Sequence, residues 1–136
     1  MSTQAKPPVL RLLHLFFLMW AIVWLALAAL RIPEMTPTMD PASSGSYALI
    51  AVSTLLLGLA PLLGKKIRSG PSVPGEPLAP LDPGKVFLAH LVTIAVWEAS
   101  GLVAYVHSLL TGTAGPSYIL TAAAVAAIFS YWPKAE

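Results

Sequence analysis

The chain has 136 residues, 57% of them hydrophobic and 10% charged, against roughly 45–50% and about 25% in soluble domains, so water is the wrong solvent for it. Eight Lys and Arg against six Asp and Glu leave a net charge of +2, with no basic face to follow a phosphate backbone, which argues against a nucleic-acid partner. Cysteine is absent, which removes disulfides, thiolate nucleophiles and Cys-based metal sites; no two of the three His lie within four residues of each other, so a helical His pair for a metal is missing too.

Four apolar stretches can be measured against the ~20 residues that cross about 30 Å of hydrocarbon. The first, 12–30, carries no charge. Lys6 and Arg11 before it and Ala26-Leu27-Ala28 within it also resemble a signal peptide with its small-residue cleavage site. Bulky Trp20 and Trp24 and the length of the apolar run favour a retained anchor. Pro33, Pro37, Pro41 and Gly45 break the chain after it, and Ser43, Ser44 and Ser46 are available to cap the next helix. The second stretch, 47–64, contains Gly58 and Pro61, which should weaken or kink it near its end.

Between the second and third stretches Pro71, Pro74, Pro77, Pro80 and Pro83 recur at every third position. A polyproline II helix has three residues per turn, so these rings share one edge of a stiff rod. That rod is read chiefly as a spacer, with a proline-binding partner as the alternative. The third stretch, 86–110, holds the only formal charge inside any of the four, Glu98. Gly112 and Gly115 then make a turn too short to separate its neighbours, and Pro116 opens a fourth stretch ending at Trp132. Ala122, Ala123, Ala124, Ala126 and Ala127 make nearly every face of its middle small, which suits close helix packing or an oligomer interface.

The expected fold is all-α: a single membrane domain over 1–136, an up-down four-helix bundle with helices at about 10–31, 46–64, 85–110 and 116–133 and a cytoplasmic Pro-rich loop at 69–84. Lys6, Arg11, Lys65, Lys66, Arg68, Lys85 and Lys134 fall on one side and Arg31 on the other. Both termini are therefore expected in the cytoplasm, in a multi-pass protein of a bacterial inner membrane. Tyr118 near the start of the fourth helix, and Tyr131 and Trp132 at its end, sit where aromatic belts lie.

Glu98 is the residue that hydrocarbon makes expensive, at about 2.5–3.5 kcal/mol on insertion scales. Desolvation disfavours its ionised form, so a neutral Glu98 would be a proton carrier in waiting. Leu91, Ala95, Gly101, Leu102 and Tyr105 share its side of the helix. At the same depth the midpoints of the other helices offer Trp20, Thr54 and Thr121 as donors. Glu98 is the candidate proton or ion site, supported by Trp20, Thr54, Gly101, Tyr105 and Thr121. His90 and His107 read as interfacial residues, and His14 as a headgroup contact. No paired carboxylates, Ser-His-Asp set or phosphate-cradling glycines occur, so neither enzyme activity nor a cofactor is expected.

The segment 86–133, centred on Val96-Trp97-Glu98-Ala99-Ser100-Gly101-Leu102-Val103, resembles the carboxylate helix of the ATP synthase proteolipid, subunit c. That resemblance implies a ring in which Glu98 binds and releases a proton. The chain departs from it in lacking the repeated glycines and the Arg-Gln-Pro loop, and in having two extra spans. It is more similar to uncharacterised small bacterial four-helix membrane proteins, through Glu98, Gly101, Leu102, Thr111 and Gly112; that similarity implies no activity. The leading expectation is a structural or accessory protein with Glu98 buried at a helix interface. The alternative is a proton- or cation-handling subunit. Its expected partners are the lipid bilayer and either further copies of itself or a larger membrane protein.

Overall fold

The computed structural model describes residues 7–31, 36–69, 74–75 and 82–131, apart from the side chains of Pro7 and Pro8. It is all-helical: α1 (Pro7–Arg31), α2 (Ser44–Ser69), α3 (Pro83–Thr111) and α4 (Gly115–Ser130). The first three are long and apolar enough to cross a membrane. At 16 residues α4 is apolar but short, about 24 Å at 1.5 Å per residue. Most of the Pro-rich segment, Lys6, Trp132 and Lys134 lie outside the described residues.

Local chemistry fixes the helix ends. Ser43 caps α2, its hydroxyl accepting from the Ser46 N–H at 3.2 Å. Asp82 caps α3, accepting from the Gly84 N–H at 2.9 Å, with Pro83 in the first turn. Gly112 ends α3 in the left-handed region at φ 68°, a conformation that glycine adopts at no steric cost. The α1–α2 connection returns to this end: the Thr38 and Met39 N–H groups both donate to the Leu110 carbonyl, at 2.9 and 2.8 Å. Basic Lys66 and Arg68 let α2 run to Ser69, five residues past the apolar stretch, because cations favour a helix C-terminus.

α3 is the hub, packed against all three other helices and most extensively against α2; α1 rests on α3 and α4. His14 of α1 meets His90 of α3 near the starts of both helices, and Tyr131, just past α4, lies beside His90 and Arg68 of α2. Near the other ends Ser46 of α2 meets His107 of α3.

The molecule is inverted relative to a soluble bundle. Large apolar side chains such as Leu12, Leu30, Leu55, Leu62, Ile119 and Phe129 point outward, whereas Ser46, Ser53, Thr93, Ser100, Ser108, Ser117 and Thr121 are fully buried. Hydrocarbon outside removes the incentive to hide leucine, and small polar residues inside let helices approach and bond to each other.

Candidate functional site

Two faces of α3 behave differently, and the site lies on the less polar one. Along the buried side of α3, His90, Thr93, Trp97, Ser100, Ala104, His107 and Thr111 recur at alternating steps of three and four, the spacing of a packing seam; Thr93, Trp97, Ser100 and His107 meet α2, whereas His90 meets His14 of α1. Across it stand Ser46, Ser53, Ala60 and Gly64, all buried. Contacts follow one antiparallel register. Ser46 Oγ and His107 Nε2 share a hydrogen bond at 2.7 Å. Ser53 Oγ donates to the Ser100 carbonyl at 2.9 Å and Ser100 Oγ to the Ser53 carbonyl at 2.7 Å. Trp97 Nε1 donates to the Leu57 carbonyl at 3.1 Å. Pro61, four residues on, has no N–H to offer that carbonyl, so the indole fills the vacancy that proline opens in α2. Thr93 closes the seam beside Gly64, where an added Cβ would overlap Thr93 Oγ1.

Glu98, one residue past Trp97, is turned about 100° away from that seam and lines a cleft of about 340 Å³ against α1 with Phe16, Phe17, Trp20 and Trp24. Both carboxyl oxygens are shut off from solvent, and neither closes a hydrogen bond of good distance and angle. The side-chain donor within looser reach is the Trp24 indole. The aromatic rings form a ladder along α1: Phe16 to Trp20 at 6.2 Å and Trp20 to Trp24 at 6.0 Å between centroids. It continues onto α3 through Trp24 and Tyr105 at 5.3 Å.

The supporting residues named from the sequence divide accordingly. Trp20 shares the cleft with Glu98. Tyr105 reaches the site through Trp24 instead of facing the carboxyl directly. Gly101 packs on α4, where an added Cβ would lie 3.8 Å from the Thr121 methyl, and the Thr121 hydroxyl is buried without a hydrogen-bond partner. Thr54 is exposed and bonds back to the Ile50 carbonyl at 2.8 Å; its neighbour Ser53 takes the inward position. Matching helix midpoints gives depth but not direction around the helix.

The histidines need a correction. His14 is not a headgroup contact, and all three are buried within the bundle: His14, His90 and His107 are 0%, 6% and 1% exposed. His14 Nδ1 and His90 Nε2 lie 3.0 Å apart across α1 and α3, and His90 stacks on Tyr131 at 4.6 Å. The pair is invisible to local spacing because 76 residues separate its members. Among the described residues no group of three or more His, Cys, Asp or Glu is placed to hold a metal.

Sequence reasoning also missed Phe16, Phe17 and Trp24. Their signal was present as aromatics at steps of four along one side of α1: Phe16, Trp20 and Trp24. No protein-family model, curated protein or solved structure matches the chain. The functional reading therefore rests on the site itself.

Proposed function

We propose that this is a four-span protein of a bacterial inner membrane in which Glu98 binds and releases a proton or small cation from the α1–α3 cleft. The observation that carries the reading is the pair of Glu98 oxygens, both buried and neither closing a good hydrogen bond. A carboxyl retained purely for packing needs a partner to offset its burial, and the buried hydroxyls and indole of the α2 face are engaged elsewhere. An ion-handling carboxyl must instead keep its lone pairs available. In this reading α4 spans as a short upright helix. Arg11, Lys65, Lys66, Arg68 and Lys85 stand on the cytoplasmic side with both termini.

A structural or accessory role is the second reading, and the continuous polar seam between α2 and α3 favours it. Carbodiimide labelling in native membranes separates the two, since that reagent modifies protonated carboxyls. The ion-handling reading expects labelling at Glu98 that fades as pH rises and is absent in Glu98→Gln. A Glu98 inert across the pH range would leave the accessory role.

A further inference from the structure

Four aromatic rings and one carboxyl are an unusual set to hold a bare proton. A proton needs only the carboxyl, and a small metal cation needs several oxygens; the cleft offers the oxygens of Glu98 alone among its polar side chains, apart from the indoles of Trp20 and Trp24. Aromatic faces are attractive to a different class of cation, one whose charge is spread over carbon-covered bulk and is weakly hydrated.

We infer that the α1–α3 cleft binds a lipophilic organic cation of the quaternary ammonium or phosphonium type, its charge against Glu98 and its apolar groups against Phe16, Phe17, Trp20 and Trp24. This rests on the reading of Glu98 as an ion-binding carboxyl and names what it binds. The cleft volume of about 340 Å³ lies at the small end of the roughly 300–1,000 Å³ typical of small-molecule sites. Its rim is apolar and outward-facing, with Phe16 48% and Trp20 39% exposed, so a ligand dissolved in hydrocarbon reaches it without crossing water. Binding is an exchange: the cation enters, Glu98 gives up its proton to solvent, and the net charge of the cleft is unchanged. Glu98 is the one titratable group on the cleft wall. On the helices around it His14 and His90 face each other, His107 faces Ser46 and Arg68 faces Tyr131; Tyr105 lies against Trp24, and Arg11 lies toward the start of α1, outside the cleft lining.

The test is binding of radiolabelled tetraphenylphosphonium to the full chain in lipid nanodiscs, with empty discs subtracted and tetraphenylborate as the anion of the same shape. Saturable phosphonium binding, one proton released per cation, and protection of Glu98 from carbodiimide are expected. Trp20→Leu and Trp24→Leu should each weaken binding roughly three- to thirtyfold, the scale of one desolvated cation–π contact, while Glu98 still labels. Glu98→Gln should abolish the proton release. Labelling of Glu98 without saturable phosphonium binding overturns this inference and leaves the ion-binding carboxyl standing. Equal uptake of phosphonium and borate, unaffected by Glu98→Gln, reduces the signal to partition into lipid and overturns it as well. A Glu98 that never labels removes the underlying reading, and the inference falls with it.

Discussion

α3 presents opposite solutions to one problem on two of its faces. Toward α2 nearly every polar group meets a partner: hydroxyl to carbonyl, indole to the carbonyl that Pro61 leaves open, imidazole to hydroxyl. Toward α1 the most polar side chain of the helix meets aromatic rings and closes no good hydrogen bond. In hydrocarbon an unmet polar group is costly, so the first face reads as architecture and the second as a site held open for something else. A residue's importance to the fold should therefore fall as its importance to binding rises.

The strongest way to break that contrast is to wedge the seam. Gly64→Ala places a Cβ where Thr93 Oγ1 sits and 3.3 Å from the Ala89 carbonyl, so it should cost about 1–3 kcal/mol, as overpacking does. Gly58→Ala, with open space around it, should instead be neutral or stabilise by up to about 1 kcal/mol. Thermal unfolding in detergent reads both, and equal effects would mean that α2 and α3 do not pack as described. Next in size is Trp97→Phe, which keeps one aromatic ring but loses the indole N–H and part of the buried volume, strands the Leu57 carbonyl, and should cost about 1–2 kcal/mol. A double-mutant cycle on Ser53→Ala and Ser100→Ala should return a coupling of about 0.6 kcal/mol, the usual scale for hydroxyl pairs between membrane helices; zero coupling would place the two serines apart. The smallest effect should come from the residue that looks most costly. Glu98→Gln removes no good hydrogen bond, so its stability should stay within about 0.5 kcal/mol of the parent, and a collapse of folding would return Glu98 to the architecture.

Much of this fold is legible in the sequence because helix length and polarity are local properties. Over the described residues the four apolar segments fall on the four helices, and Glu98 falls at the middle of α3 as its spacing indicated. What is not local was not legible. Ser53 and Thr54 are adjacent and alike, yet one faces α3 and the other faces out; only the crossing of two helices distinguishes them. His14 and His90 meet because α1 and α3 start at the same end. Trp24, which lines the cleft with Glu98, sits one turn beyond Trp20, the residue chosen by depth. The polar seam lay in plain view as a three-four repeat of His, Thr, Ser and Ala along α3, but a search for wide amphipathic stripes does not register small polar residues.

The central claim is that Glu98 is a titratable carboxyl closing no strong hydrogen bond, and infrared difference spectroscopy of the protein in lipid, with Glu98→Gln subtracted, tests it most directly. A carboxylic-acid C=O band at the high-frequency end, where weakly hydrogen-bonded acids absorb, lost in Glu98→Gln and converted to carboxylate as pH rises, is the predicted result. A low-frequency band typical of a strongly hydrogen-bonded acid, or carboxylate bands alone at every pH, would contradict it.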